Sequence, residues 1–288
     1  MRSTFAFVIG AALLPFAVLS APTTTVIVPG GPKLAEDVHL VPTGGSLAHV
    51  DNFVHILHAN GTVLKQVPVG ATPGPTPVRV AERALKTGWI TYASWLNQGA
   101  SPIKHFTTTW TVPPVPKTQN GQTIFLFNSI EPSSFDAIIQ PVLQYGPSAA
   151  GGGAFWAVAS WYLVGSNVFH TTPIRVSAGM ALNGVITLTG ISGTNYNYAT
   201  RFTNVDNTIL NVKNAAQLTW ATETLEAYAL KAASDYPAGS TVFSAINLTL
   251  QNGNAPSVKW ATANDAADGL STTVNTDGAT NAKITIKY

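Results

Sequence analysis

Carboxylates are scarce in this chain, so the candidates for acid–base chemistry can be considered one by one. Only 10% of the 288 residues are charged, against about 25% in an average globular protein. From Gly88 onward the glutamates are Glu131, Glu223 and Glu226, and each lies beside apolar or aromatic sequence. Burial in such surroundings raises the pKa of a carboxyl group and suits it to proton transfer. The aspartates instead lie among turn residues, where capping of the backbone is expected.

Other reactive groups are poorly represented. Cysteine is absent, which excludes disulfides, a thiol nucleophile and a thiolate metal site. Only His105 and His170 follow Gly88, too few for a three-histidine zinc site, so we expect neither a metal nor a cofactor. No Gly-x-Ser-x-Gly motif occurs, although composition alone leaves a Ser-His-Asp triad open. The low charge offers no basic stripe, so we expect no binding to nucleic acid.

The first 20 residues have the features of a signal peptide. Arg2 precedes an apolar run, Phe5 to Leu19, that ends in Val-Leu-Ser. The run is shorter than the roughly 20 apolar residues that a membrane span needs, and no other stretch approaches that length. The sequence therefore predicts a secreted, extracellular protein that is not bound to a membrane.

Residues 21–87 are interpreted as a separate N-terminal region. Asn60-Gly61 lies between two apolar runs, which predicts a β-hairpin. A proline- and glycine-rich stretch from Gly70 to Pro77 follows and predicts a linker. Because one isolated hairpin is not a stable domain, we expect a propeptide that is removed near Arg83 or Lys86. An N-terminal arm that stays attached is the alternative.

Residues 88–288 are predicted to form one all-β domain, a two-sheet antiparallel β-sandwich of the jelly-roll, concanavalin A-like type. Short runs rich in valine, isoleucine, threonine and aromatic residues recur between turn residues. In one of them Phe106, Trp110 and Val112 fall on the same face of a strand. The core must supply the stability of the domain, since no disulfide is possible.

One segment has conflicting signals. From Trp220 to Ala233 the residues are good helix formers, and local propensity favours a helix. As a strand, the same segment would place Ala221, Glu223 and Leu225 on one face, with the carboxyl group among small apolar neighbours. Such conflicts are typical of functional sites.

Four segments carry a resemblance to a known family. In chain order they are Phe127-Asn-Ser-Ile-Glu131, Pro141-Val-Leu-Gln-Tyr-Gly146, Ser160-Trp-Tyr162 and Trp220-Ala-Thr-Glu-Thr-Leu-Glu226. Their order resembles that of the fungal glutamic peptidases called eqolisins. That family has Trp-Val-Gly-Ile-Asp, then Ile-Leu-Gln-Thr-Gly, then Tyr-Glu-Trp-Tyr-Pro, and later Glu-Asp-Phe-Glu. The resemblance covers about Gly88 to Tyr288.

The resemblance implies a catalytic pair. The family's glutamine and the first glutamate of its last motif fall on Gln144 and Glu223, with Gln140 as an alternative position for the glutamine. Glu223 would activate water and pass its proton to the leaving amine, while the amide of Gln144 would donate to the oxyanion. The residues expected to bind the substrate are Glu131, Phe127, Trp161, Tyr162, Trp220 and Glu226.

This chain departs from the family pattern at three of these positions. This chain has Phe127 where the family has tryptophan, Glu131 where it has aspartate, and Ser160 where it has the glutamate of the third motif. The expected activity is that of an acid-acting endopeptidase on protein or peptide substrates, from a monomer. The alternative is a carbohydrate-binding, lectin-like or cell-wall protein that uses its aromatic residues. Two Asn-x-Thr sequons, at Asn60 and Asn247, are candidate glycosylation sites.

Overall fold

The computed structural model describes residues 24–70, 85, 87–264 and 269–288. The predicted signal peptide, most of the predicted linker and both predicted cleavage positions lie outside these ranges. The predicted boundary at residue 87 therefore stays a prediction.

The described residues form 21 strands and two short 3-10 helices, Ala35–Asp37 and Ala233–Asp235. In chain order the strands are β1 (Thr25–Val28), β2 (Gly31–Leu34), β3 (Val38–Leu40), β4 (Ser46–Val50), β5 (Phe53–Leu57), β6 (Val63–Pro68), β7 (Gly88–Leu96), β8 (Ile103–Thr111), β9 (Thr123–Glu131), β10 (Ala137–Ser148), β11 (Gly151–Val164), β12 (Asn167–His170), β13 (Ile174–Val176), β14 (Ala181–Ser192), β15 (Asn195–Phe202), β16 (Leu210–Ala215), β17 (Trp220–Tyr228), β18 (Ser240–Leu250), β19 (Ala261–Ala263), β20 (Ser271–Thr276) and β21 (Ala282–Lys287).

The strands form two large sheets that pack face to face, which confirms the predicted all-β sandwich. Within the described ranges the first sheet has nine strands, in the order β19-β7-β17-β9-β10-β11-β12-β3 with β13 also paired to β11. The second sheet has ten, in the order β20-β21-β18-β8-β14-β15-β16-β4-β5-β6. Neighbouring strands are antiparallel except at β3–β12 and β4–β16, which are parallel. Strands β1 and β2 form a separate two-stranded sheet among the described residues.

The main core lies between the two sheets. Alternate residues of each strand enter it, as Ile139 and Leu143 do from β10 and as Phe106 and Trp110 do from β8. This is the packing that the period-2 pattern of the sequence predicts.

A second apolar cluster covers the opposite side of the first sheet, which we call the outer face. Its members include Phe125, Phe127, Val142 and Trp161, all fully buried. Val28 of β1 packs among them and is itself fully buried. The hairpin of β1 and β2 therefore lies on the outer face and shields it from solvent.

The N-terminal segment, residues 24–70, belongs to both sheets. The hairpin predicted around Asn60-Gly61 is present as β5 and β6, but it is not isolated. Strand β4 joins it to β16 of the second sheet, and β3 extends the first sheet beside β12. Leu47, Val54 and Ile56 enter the main core. The segment therefore shares its core with the rest of the sandwich, and its removal as a propeptide stays a prediction.

The conflict at Trp220 to Ala233 is resolved in favour of a strand. Residues Trp220–Tyr228 form β17, which pairs along its length with β7 and with β9. Its position between two partner strands provides backbone partners on both sides and buries every residue of the strand after Trp220. Tertiary packing thus overrides the local helix propensity.

Candidate active site

The structure does not bring Gln144 and Glu223 together. Glu223 has the same orientation on β17 as Ala221 and Leu225, which lie in the core between the sheets. Gln144 lies between Leu143 and Tyr145, which both point into that core, and so its own side chain is on the outer face. The two side chains are on opposite sides of the first sheet, and a single water cannot bridge them.

Glu223 is an interior residue. It is fully buried, and one of its carboxyl oxygens accepts a hydrogen bond from the hydroxyl of Thr108 on β8 of the second sheet. Burial raises the pKa of Glu223 well above its usual value, although the hydrogen bond from Thr108 opposes the shift. Through the hydrogen bond from Thr108 this carboxyl group links the two sheets.

Gln144 is held within its own turn. Its Nε2 donates to the carbonyl oxygens of Gly146 at 2.8 Å and Gly151 at 2.9 Å. Its Oε1 accepts from the hydroxyl of Ser148 at 2.9 Å. Because both ends of the amide already have partners, this side chain stabilises the turn between β10 and β11 and has no N–H directed at a substrate.

Gln140, the alternative position for the glutamine, has a different environment. It lies on the outer face, is fully buried, and neither its Nε2 nor its Oε1 has a hydrogen-bond partner. Ile139 pairs with Ile130 and Val142 with Phe127, which sets Gln140 opposite Ser129 on β9. A buried amide without partners costs free energy, and such groups are candidates for function.

Glu131 lies close to Gln140 on the neighbouring strand. It is two residues from Ser129 along β9 and is thus a diagonal neighbour of Gln140, and residues in this relation are typically separated by about 7–8 Å. Glu131 is 7% exposed and its Oε1 has no hydrogen-bond partner. Burial, with a smaller effect from Glu226, raises the pKa of Glu131 to about 8.

Glu226 is the third carboxyl group and also lies on the outer face. One of its oxygens accepts the backbone N–H of Gly30 at 2.8 Å and the hydroxyl of Tyr228. Burial raises the pKa of Glu226 to about 7, against the effect of these hydrogen bonds. The contact with Gly30 is made by the turn of the β1–β2 hairpin, so the N-terminal segment directly contacts this carboxyl group.

A chain of hydroxyl groups crosses the outer face from the Gln140 region toward Glu226. Ser129 and Thr222 are 2.7 Å apart between their Oγ and Oγ1 atoms, and Thr222 and Thr224 are 2.9 Å apart between their Oγ1 atoms. The outer face thus holds a polar strip among apolar side chains.

Aromatic side chains border this strip. Trp220 pairs across strands with Glu131, and its ring is parallel to that of Trp89 at 5.8 Å between centroids. Phe127 contacts Trp89 edge to face at 5.7 Å. Trp161 is also on the outer face, where it contacts the ring of His170 at 4.9 Å.

Two residues of the third motif point away from the outer face. Tyr162 lies in the main core and contacts His49, with 2.8 Å between its hydroxyl and Nε2 of His49. Ser160 also points inward and donates to the carbonyl oxygen of Thr200 at 3.3 Å. Of the residues expected to bind substrate, the structure therefore groups Glu131, Phe127, Trp161, Trp220 and Glu226 on one face and separates Tyr162 from them.

Sequence reasoning missed the polar strip of Ser129, Thr222 and Thr224, and the contact with Gly30. The signal that was present is strand parity: if Ala221 and Leu225 point inward, Glu223 points inward and Glu226 points outward. No comparable sequence signal places the turn at Gly30 over a carboxyl group 196 residues away.

Asn60 lies exposed in the β5–β6 turn, and its Oδ1 accepts from the N–H of Thr62 at 3.0 Å. Asn247 is half-buried, and its Nδ2 donates to the carbonyl oxygen of Ala245 at 2.7 Å. Glycosylation of either residue stays a prediction. Within residues 24–70, 85, 87–264 and 269–288, no three His, Asp or Glu side chains are placed to hold a metal ion. The same residues include no helix with the length and hydropathy of a membrane span.

Comparison with known proteins finds similarity only among solved structures. No protein-family model and no curated protein sequence matches the chain. A structure of scytalido-glutamic peptidase with a peptide-based transition state analog has a TM-score of 0.46 and 13% identity, over 70% of this chain and 100% of that one. A second structure of that peptidase, with a transition state analog inhibitor, has a TM-score of 0.44 and 14% identity, over 70% and 98%. A CBM2 module of the evolved Dit protein of Lactobacillus casei BL23 phage J-1 has a TM-score of 0.33 and 11% identity, over 64% and 72%. Likeness at this level is distant and does not bear on the activity of the chain.

Proposed function

We propose that the outer face of the first sheet is the active site of a secreted, acid-acting peptidase, with Glu131 and Gln140 as its catalytic pair. The proposal replaces Glu223 and Gln144, whose side chains have structural partners on opposite sides of the sheet. The expected substrates are protein or peptide chains, and no cofactor is invoked.

The observation that carries the proposal is the diagonal position of two unsatisfied polar groups on adjacent strands. Gln140 has an amide with no partner, and Glu131 has one carboxyl oxygen with no partner. A structural role would be filled at less cost by apolar residues of the same shape. Retaining such a pair on adjacent strands is typical of groups whose partners arrive with a substrate.

The chemistry needs a base for water and a donor for the developing oxyanion. Glu131 would take a proton from a water molecule as that water attacks the peptide carbonyl carbon, and would return the proton to the leaving amine. The Nε2 group of Gln140 would donate to the carbonyl oxygen as negative charge builds on it. Once the outer face is open to water, the burial that raises the pKa of Glu131 is reduced. Its pKa then falls toward the ordinary carboxyl value, which matches operation in acid.

In this proposal the N-terminal segment acts as a propeptide. Val28 covers the apolar cluster of the outer face, and the backbone N–H of Gly30 donates a hydrogen bond to the carboxyl group of Glu226. A peptide substrate would need the same space, so the β1–β2 hairpin must leave before hydrolysis can occur.

The test uses the full chain incubated with a denatured protein at about pH 4, near the ordinary carboxyl pKa, with pepstatin present to block aspartic peptidases. Intact mass measurements would follow release of the predicted propeptide, residues 21–87, in the same samples. We expect Glu131→Gln and Gln140→Leu each to lower the cleavage rate by about a hundredfold or more, the usual cost of a lost catalytic proton acceptor or oxyanion donor.

Stability measurements separate catalysis from folding in these variants. Gln140→Leu is expected to keep or raise the unfolding free energy, because it replaces an unpartnered buried amide with an apolar group. Glu223→Gln is the matched control: it makes the same chemical change as Glu131→Gln on the other side of the sheet, and should retain cleavage. Loss of cleavage in Glu223→Gln with normal cleavage by Glu131→Gln would overturn the assignment.

Carbohydrate binding is the second candidate, and it is favoured by the aromatic group beside Glu131. Phe135 is 50% exposed and contacts Trp220 edge to face at 5.1 Å, while Trp89 and Tyr92 are only partly buried. Such a surface suits the apolar faces of sugar rings. Glycan binding that survives Glu131→Gln, together with no peptide cleavage at any pH, would favour this candidate.

A further inference from the structure

The N-terminal segment meets the rest of the sandwich along one seam. Strand β3 pairs with β12 at the edge of the first sheet, and β4 pairs with β16 in the second sheet. One histidine of the segment lies at each of these junctions, His39 on β3 and His49 on β4. The β1–β2 hairpin that covers the outer face belongs to this segment. Interactions that keep the segment attached at the seam therefore also keep the hairpin on the outer face.

His39 is buried next to a cationic side chain. It is 6% exposed, and its Nδ1 is 3.3 Å from Nζ of Lys65 on β6. An ammonium group has no acceptor, so this contact requires an Nδ1 that carries a lone pair and therefore a neutral ring. His170 on β12 is a second nearby group that becomes cationic in acid, and Asp37 is the nearby carboxylate. The His39 ring also contacts an apolar side chain, the ring of Phe169, with 5.2 Å between the two ring centroids.

His49 lies between the two sheets and is half-buried. Its Nε2 is 2.8 Å from the hydroxyl of Tyr162, and the two rings meet edge to face at 5.7 Å. The charged or titratable groups of the elements packed around it are Asp136 before β10, Lys213 on β16 and His55 on β5. Asp136 and Lys213 are exposed to solvent. A positive charge on His49 would therefore be taken out of water without a buried carboxylate to offset it.

We propose that His39 and His49 form an acid-sensitive latch. While both rings are neutral the latch holds the N-terminal segment in the sandwich, and when they gain protons the segment separates and uncovers the outer face. Protonation of His39 places a charge at the seam, against the Phe169 ring and beside His170 of β12, and also removes the acceptor for Lys65 of the same segment. Protonation of His49 places a charge beside Tyr162 of β11.

The direction of the pH effect follows from the shifts of these groups. Burial lowers the pKa of His39, and Lys65 lowers it further; burial also lowers the pKa of His49. A histidine whose pKa is lowered in the closed state favours that state when the pH is above the ordinary histidine pKa of about 6.5. This contribution to stability is lost as the pH falls below about 6.5. The carboxyl groups of Glu131 and Glu226 have the opposite shift. Because the β1–β2 hairpin contributes to their burial, they favour the closed state in acid and act against the two histidines.

The experiment is hydrogen exchange of the full chain at pH 7.5 and at about pH 5, below the ordinary histidine pKa, corrected for the intrinsic exchange rate. In the wild type we expect protection of β3 and β4 to fall by about tenfold or more at the lower pH, a factor of ten for each unit of lowered pKa. Protection of β10 should be unchanged. The readout does not involve peptide hydrolysis, so it stands whether or not the proposed activity is found.

Variants identify the responsible residues. The double variant His39→Gln with His49→Gln keeps neutral side chains that can accept from Lys65 and hydrogen-bond to Tyr162, and should retain protection of the segment at both pH values. The control, His55→Gln with His58→Gln, changes two histidines of the same segment outside the seam and should behave like the wild type. Equal protection of β3 and β4 in the wild type at both pH values would overturn the proposal. The proposal would also be overturned if the double variant His39→Gln with His49→Gln lost as much protection of β3 and β4 in acid as the wild type. If that variant does not fold, the wild-type comparison still decides.

Discussion

The three glutamates of the first sheet are all buried, but their partners give them different chemistry. Glu223 accepts from Thr108 across the core and has no route to solvent. Glu226 accepts from Gly30 and Tyr228. Each of the three has one carboxyl oxygen without a partner. Burial also raises the pKa of each of them, so neither a raised pKa nor a free oxygen identifies the proposed catalytic group. Glu131 differs from the other two in being 7% exposed, where they are fully buried, and in being a diagonal neighbour of the unpartnered amide of Gln140.

At this scale we predict that Glu223→Gln changes the free energy of unfolding by about 1 kcal/mol or less, because an amide can accept from Thr108 in the same place. Glu223→Ala should cost about 2–4 kcal/mol, since it leaves a cavity and an unpartnered hydroxyl. Urea unfolding at neutral pH measures both. An equally large loss in the two variants would mean that the charge of Glu223, rather than its shape and hydrogen bond, stabilises the core.

The turn between β10 and β11 shows how one element depends on close backbone approach. Gln144 crosses the turn and donates to the carbonyl oxygens of Gly146 and Gly151. A Cβ atom added to Gly152 would lie 2.4 Å from Nε2 of Gln144 and 2.4 Å from the carbonyl oxygen of Gly146. This position has a φ of +111°, in the left-handed region that side chains rarely adopt. The hydrogen bonds of the Gln144 amide therefore depend on the absence of a side chain at Gly152.

We predict that Gly152→Ala lowers the free energy of unfolding by about 2–4 kcal/mol, because it adds a steric conflict to backbone strain. Gly151→Ala is the control. It has a similar φ of +103° but nothing within 4 Å of the added Cβ, so it should show the strain alone, about 1–2 kcal/mol. Thermal melting of the two variants provides the measurement. Equal losses would show that the contact with Gln144 contributes nothing.

On the scale of the whole molecule, two sets of titratable groups respond to acid in opposite directions. Glu131 and Glu226 have raised pKa values, so their contribution to stability is complete below the ordinary carboxyl pKa and is lost as the pH rises through about 8 and about 7 respectively. The histidines of the seam have lowered pKa values, and their contribution is lost as the pH falls. Acid thus has two opposing effects on the closed state: it favours the carboxyl groups beneath the β1–β2 hairpin and disfavours the two histidines at the seam.

We predict that Glu131→Gln flattens the pH dependence of stability between about pH 5 and pH 8. In the wild type, ionisation of the buried carboxyl group should lower the free energy of unfolding as the pH rises, by an amount on the order of a few kcal/mol. The variant cannot ionise, so its stability relative to the wild type should increase toward pH 8. Urea unfolding across this range, with Glu36→Gln at an exposed position as control, provides the comparison. A constant difference between wild type and Glu131→Gln would contradict the raised pKa.

The sequence by itself determines that this is a β protein with an N-terminal hairpin, because alternation along Phe106–Val112 and the Asn60-Gly61 turn are local signals. Only the tertiary structure decides which glutamate faces which side. Every residue of β9 is buried, since the N-terminal segment covers the outer face while the second sheet covers the inner one. A strand buried on both faces has no contrast between polar and apolar sides, so the side of Glu223 could not be read from its neighbours. Because the structure places Glu223 on the inner side of the sheet, the candidate catalytic pair becomes Glu131 and Gln140.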